Sequence, residues 1–291
     1  SDGFLFHSFQ GDKILNITAL EAVAEGDFKS FKSADTSSIQ TQTDYNTKFK
    51  NLQSEIESGR FKKVILSRTK TIDTNLDALT IFNQLNTAYG NTLNYIISNS
   101  EIGTWIAATP ELLLSVDGNH LKTMALAGTK TTAEVWSKKE FDEQKFVSDT
   151  IVDNLNAANC TDIKLDGPKT TQAGKIEHLL TNISAEMTRE RDWINVLKGL
   201  HPTPAVCGIP TSEAKQYIPD LEGYNREFYA GFIGMMKGNK KDFFVNLRCM
   251  KLHENSAKLY VGGGITDQSI KDAEWNETER KAQTLASVLK G

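Results

Sequence analysis

Basic surplus, cysteine and long apolar runs are what this 291-residue chain has least of, and each shortage excludes a class of function. Lys and Arg number 33 against 37 Asp and Glu, a formal net charge of −4. The clustered cationic excess that neutralises nucleic-acid phosphates is therefore not there. Three cysteines, Cys160, Cys207 and Cys249, are an odd number without CxxC spacing. They read as reduced structural thiols of a cytoplasmic protein, not a disulfide frame or a zinc site. No apolar run approaches the roughly 20 residues that span a bilayer. The first residues lack the basic-then-apolar order of a signal peptide, and the missing initial Met reads as a trimmed start. No repeat, low-complexity tract or Pro-, Gly- or Ser-rich linker divides the chain, so residues 1–291 are expected to form a single domain.

What is present is ample core material, 39% hydrophobic residues with 24% charged, the composition of a globular protein. Phe49, Leu52 and Ile56 recur at helical spacing over Tyr45–Ser58, and Gly59 stops the run. FKKVILSRT reads as a strand. YIIS, TWIAA, ELLLSV and HLKTMAL form a meander, and FYAGFIGMM, DFFVNLRCMKL and AKLYVGGGI a second series of strands. Between them Ser137–Ala158 reads as a long helix with Glu140 three residues after a Ser137 cap, and a last helix runs from about Ser269 to Leu289. Strands in runs and helices in blocks predict an α+β fold with antiparallel sheets. The two series are expected to be the two halves of one sandwich, with helices outside.

Several constellations can carry chemistry, each with a plainer reading beside it. Glu140 with Glu143, and Glu274 with Glu277, are spaced i, i+3, which puts each pair on one helix face. Turned toward each other, they would offer an oxygen-rich site for Mg²⁺; alone, they are ordinary solvated faces. Gly262–Gly264 ends a strand and either brings backbone N–H groups close to an anion or makes a turn. Arg248, read within the strand NLRCMKL, is a carboxylate clamp or an exposed sheet residue. Lys63 is equally ambiguous, and His178 and His201 read most simply as structural histidines.

In order and spacing, KVILSR, TPELLL, LAGT, HPTPAVCG, YNREFYAGFIG, NLRCMKL, GGGI and EWNET closely resemble the chorismate-utilising enzymes, which include isochorismate, salicylate, anthranilate and aminodeoxychorismate synthases. The match runs from about Tyr45 to the end, with an N-terminal part short for the family. The resemblance implies two large antiparallel β-sheets packed together with helices outside. Ammonia-using members typically carry Gln where this chain has Lys63, and aminodeoxychorismate synthases a nucleophilic Lys where it has Ala127. The expected activity is therefore that of an isochorismate synthase, with water attacking the ring. Salicylate synthase is the main alternative, and a non-catalytic chorismate-binding protein is disfavoured by the presence of both Lys63 and Glu111.

By the same resemblance, Lys63 is the general base and Glu111 the general acid. Mg²⁺ would be held by Glu143 and Glu277, with Glu140 and Glu274 in support. Arg248, the backbone around Gly262 and Gly263, and Lys281 would hold the substrate's carboxylates. Gly128, Thr129, His201, Ala205, Val206 and Phe228 would border the substrate; salicylate synthases tend to have Tyr where this chain has Phe228. The family's metal helix often reads EHELV, against EQKFV here, so Gln144 and Lys145 depart from it. A monomer acting on chorismate alone, without nucleic acid or membrane, is expected.

Overall fold

A computed structural model describes residues 2–18, 28–35, 40–131, 133–173 and 176–289. Two strands, β1 (Gly3–His7) and β2 (Ile14–Ile17), precede helix α1 (Gln42–Glu57), strand β3 (Lys63–Asp73) and helix α2 (Ala78–Ala88). Strands β4 (Leu93–Asn99), β5 (Gly103–Thr109), β6 (Leu112–Asp117) and β7 (His120–Thr131) lead to α3 (Lys138–Ala157). The long pair β8 (Thr161–Ala173) and β9 (Ile176–Glu186) is followed by α4 (Trp193–Leu200), a two-residue β10 (Gly208–Ile209) and α5 (Thr211–Glu222). The remainder is β11 (Phe232–Lys237), β12 (Lys240–Val245), β13 (Cys249–Leu252), β14 (Ser256–Ile265) and α6 (Lys271–Ala286).

Local chemistry sets the helix ends. α1 starts three residues before the apolar repeat because Thr41 and Asp44 form a capping box: the Asp44 N–H donates to the Thr41 hydroxyl, and the Thr41 N–H donates back to Asp44 Oδ2 at 3.0 Å. Gly59, at φ +82°, ends the run. Among the described residues no helix is long and apolar enough to cross a membrane.

The strands make two antiparallel sheets, one of eight strands in the order β2-β1-β11-β12-β6-β7-β9-β8 and one of six in the order β10-β3-β14-β13-β5-β4. Phe6 of β1 meets Tyr95 of β4 and Trp105 of β5 edge-on between the sheets. Alternation along β5 sends Trp105 and Ala107 into that layer and Ile106 and Ala108 to the opposite face. There they pack with Ile81 and Leu85 of α2 and Ala282 and Leu285 of α6. Helices thus flank the sandwich as expected.

The partition of strands differs from the expectation. Each series feeds both sheets: β4 and β5 belong to the six-stranded sheet while β6 and β7 belong to the eight-stranded one, and β11–β12 and β13–β14 divide likewise. DFFVNLRCMKL is therefore not one strand. β5–β6 and β12–β13 run as one continuous antiparallel ribbon that leaves one sheet and enters the other. The crossing falls at 110–111 on one side and 246–248 on the other. It is stitched by Val245 N–H to the Glu111 carbonyl, 3.0 Å, and Ala108 N–H to the Arg248 carbonyl, 3.2 Å. Arg248 turns the corner at φ +47°, a left-handed conformation that non-glycine residues seldom adopt and that clusters at functional sites.

Candidate active site

Both residues at the crossing, Glu111 and Arg248, open into one cleft, walled further by the start of β3, the end of β14, the ends of β7 and β9, the first turns of α3 and α6, and the segment before β10. Of the residues singled out from sequence, the structure brings Lys63, Glu111, Gly128, Glu140, Glu143, Ala205, Val206, Arg248, Gly262, Gly263, Glu274, Glu277 and Lys281 to this cleft. His201 and Phe228 stand outside its lining. His201 accepts no solvent role: its Nε2 donates to the Ala230 carbonyl at 3.1 Å, and its ring meets His7 and Phe232 edge-on. Phe228 is fully buried in the core and stacked on Phe6. The side chain of Thr129 lies outside the described residues.

Charges in the cleft are held by one another. Lys63, 0% exposed, donates from Nζ to Glu143 Oε1 at 2.5 Å. Lys281 bridges Glu277 at 2.7 Å, one turn away, and donates to the Gly262 carbonyl at 3.0 Å. Glu274 accepts from Ser269 Oγ at 2.7 Å, and Glu140 accepts from the Ser137 N–H at 2.9 Å and from its hydroxyl, the reciprocal half of the expected cap.

The glycine run is what lets these groups meet. A Cβ on Gly264 would stand 2.6 Å from Lys63 Cε and 2.9 Å from Glu143 Oε1, whereas one on Gly263 would face Glu274 Oε2 at 3.3 Å. The end of β14 thus passes between the α3 and α6 carboxylates with only hydrogens in the way. Gly128, at φ +69°, allows α3 to approach β7 in the same manner, its would-be Cβ lying 3.1 Å from Glu140 Cβ.

Among the described residues no group of three or more His, Cys, Asp or Glu side chains is placed to hold a metal ion as it stands. An oxygen-only set of four carboxylates around an open cleft suits Mg²⁺, which takes one or two carboxylates and completes its shell with water and substrate oxygens. Gln144, where the resemblance led to a departure, turns away from the cleft and donates to the Ala125 carbonyl and Thr181 Oγ1 at 2.9 and 3.0 Å, pinning α3 to β7 and β9. Lys145 points outward and pairs with Asp149.

Glu111 is a buried carboxyl of the cleft, 3% exposed. Burial pushes its pKa up to about 7, against the opposing pull of Lys63, Lys281, the Thr203 hydroxyl and Arg248. His178 is pushed down to about 4, mainly by burial and further by the Arg248 and Lys281 cations. Its Nδ1–H donates to the Gly128 carbonyl at 3.0 Å, which leaves Nε2 to accept from Arg248 Nη2 at 3.3 Å. A neutral imidazole of that tautomer satisfies both contacts, so His178 fixes Arg248 in place.

Sequence reasoning missed His178, Tyr229 and Tyr260 as cleft residues. His178 reads from sequence as a lone structural histidine, and nothing beside it in the chain points to a cleft. Tyr229 lies between two left-handed residues, Glu227 at φ +51° and Ala230 at φ +60°, and the resemblance pointed to its neighbour Phe228 instead.

A family model described as chorismate binding enzyme matches residues 12–290. Among curated relatives, isochorismate synthase MenF of Pasteurella multocida is 32% identical over 253 residues, covering 81% of this chain and 58% of its own length. Isochorismate synthase EntC of Escherichia coli K12 is 29% identical over 243 residues, covering 78% and 62%. The chain thus spans somewhat over half the length of these relatives. In fold, it superposes on the menaquinone-specific isochorismate synthase MenF of Escherichia coli with a TM-score of 0.85 at 22% identity, over 99% of this chain and 79% of that one. Anthranilate synthase component I of Streptococcus pneumoniae gives 0.76 at 20% identity, over 91% and 62%. With a family model matched over residues 12–290 and a 32% identical relative covering 81% of it, this chain belongs to the family of chorismate binding enzymes.

Proposed function

We propose that the chain converts chorismate to isochorismate in a magnesium-dependent reaction. The observation that carries this reading is Glu111, a buried carboxyl that holds its proton up to about pH 7 in the same cleft as Lys63. A proton donor and an amine in one water-poor site are what displacement of a ring hydroxyl by water requires. The names of the relatives support the same reading.

In this mechanism Lys63, once freed from Glu143 and deprotonated, takes a proton from the water that attacks ring C2. The double bonds shift, the C4–O bond breaks, and Glu111 gives its proton to the departing hydroxyl, which leaves as water. One water enters and one leaves, so composition is unchanged, as an isomerisation demands. Arg248, steadied by His178, and Lys281 with the Gly262–Gly263 backbone hold the substrate's carboxylates. Glu143 and Glu277 would hold Mg²⁺, with Glu140 and Glu274 in support, and the ion, when bound, would neutralise the ring carboxylate and draw electron density from the ring.

One observation favours a second reading, salicylate synthase. The aromatic residues that line the cleft are Tyr229 and Tyr260, not Phe228, so the Phe at 228 does not argue against pyruvate elimination. Incubation of the purified chain with chorismate, with and without Mg²⁺, separates the two by product. Isochorismate formed only with Mg²⁺ establishes the proposal, salicylate with pyruvate replaces it by the second reading, and no turnover overturns both for this chain.

A further inference from the structure

The pairing of β10 with β3, Gly208 with Val64 and Ile209 with Lys63, ends at the bond from Ile65 N–H to the Cys207 carbonyl, 2.8 Å. Beyond it the two chains part, and a guanidinium fills the gap. Arg226 donates from Nη1 to the Val206 carbonyl at 2.8 Å and from Nη2 to the Ile65 carbonyl at 3.0 Å. Its Nε and Nη2 also form a fork on Glu222, at 2.8 and 2.6 Å. Glu222 accepts in addition from the N–H and hydroxyl of Ser67, both at 2.7 Å. Arg226 is 2% exposed and Glu222 0%.

Neither side chain lines the cleft, yet each carbonyl that Arg226 holds belongs to a residue that does. Ile65 lies two residues past Lys63 on β3, and Val206 belongs to the opposing wall with Ala205. The guanidinium face also lies 5.7 Å from the ring of the cleft residue Tyr229.

We infer that Arg226, oriented by Glu222, is a positioning residue that sets the separation between the Lys63 strand and the Ala205–Val206 wall, and so the width of the substrate site. The inference rests on the proposed function for the identity of the substrate. A planar fork suits the task because it can bond two diverging carbonyls and a carboxylate in one plane, which an ammonium cannot. Replacing both partners together leaves no unpaired buried charge, although the Ile65 and Val206 carbonyls and the Ser67 N–H lose these partners; Arg226→Lys keeps a donor beside the carbonyls.

Two variants test this, Arg226→Lys and the double substitution Arg226→Met/Glu222→Leu, each followed by thermal melting, chorismate calorimetry with Mg²⁺ present, and steady-state kinetics. The expected result is a cooperative melt in at least one variant, with a chorismate Kd raised tenfold or more and KM raised in parallel. A pair that only held the fold together would lower the melting temperature and leave the Kd of the folded protein unchanged. Folded variants that bind within twofold of the parent, or loss of the fold in both, would overturn the inference. Calorimetry reads binding irrespective of product, so an unaltered chain that makes something other than isochorismate would sink the proposed function and leave this test standing.

Discussion

Lys63 Nζ and Glu143 Oε1 lie 2.5 Å apart beside Gly264, so the proposed base is tethered to a proposed metal ligand. The ammonium and a divalent cation compete for one carboxylate. Lys63→Met removes the competitor and leaves a half-buried anion without its partner. Mg²⁺ is then expected to bind more tightly by calorimetry, while turnover of chorismate falls by roughly 10²–10⁴, the usual contribution of a general base. Unchanged or weaker Mg²⁺ binding would show that Glu143 is not shared in this way.

Glu111 makes a pH prediction with two halves. Its proton is needed, so kcat/KM should fall as pH rises through about 7. Its raised pKa also means that the unfolded chain gives up this proton first, near 4.5, so stability is lost as pH climbs from there to about 7. Glu111→Gln keeps the shape without the charge. It is expected to lose turnover by at least 10² and to be more stable than the parent at pH 8 by up to about 3 kcal/mol, at 1.36 kcal/mol per pKa unit. Melts at pH 5 and 8 check the sign: the advantage should vanish at the lower pH.

Adjacent glycines should respond unequally to the same methyl group. Gly264→Ala puts carbon 2.6 Å from the Cε of a fully buried lysine, whereas Gly263→Ala meets its nearest atom, a glutamate oxygen, at 3.3 Å. The first should cost turnover heavily, on the order of 10²-fold, as expected when a catalytic group is displaced by about 1 Å. The second should cost several-fold less. Kinetics of the two variants side by side decide it; equal losses would mean that the strand end moves as a unit.

His178 is predicted to act through Arg248. His178→Phe keeps an aromatic ring but cannot accept from the Arg248 guanidinium, so KM for chorismate should rise severalfold or more with a smaller change in kcat. His178→Gln, which can still offer an acceptor, should recover part of the loss. A kcat effect that exceeds the KM effect would instead place His178 on the reacting atoms.

The sequence carried α1, α3 and α6 because their signals are local: the Ser137–Glu140 cap and the i, i+3 glutamates are set within one turn of chain. It left α2, α4 and α5 unassigned and started α1 at Tyr45, short of the Thr41–Asp44 box. It carried the sheets less well, because the period-2 rule holds only while the pleat is unbroken. At Arg248, and at Glu227 and Ala230, a left-handed residue resets which face a side chain meets. Counting across Arg248 merged β12 with β13. His201 failed for another reason: a motif neighbour of Ala205 need not share its orientation, and burial against Ala230 and Phe232 claims its ring.

The ribbon that carries Glu111 and Arg248 from one sheet into the other has a mechanical implication. Their spacing is fixed by main-chain bonds between Val245 and Glu111 and between Ala108 and Arg248, so it is insensitive to what side chains evolve around it. The four carboxylates instead hang from the first turns of two helices, whose placement depends on side-chain contacts such as those of Gln144 and Ser269. The cleft is thus split between a rigid jaw and an adjustable one, and the helix carboxylates can shift without disturbing the distance between the Glu111 and Arg248 backbones.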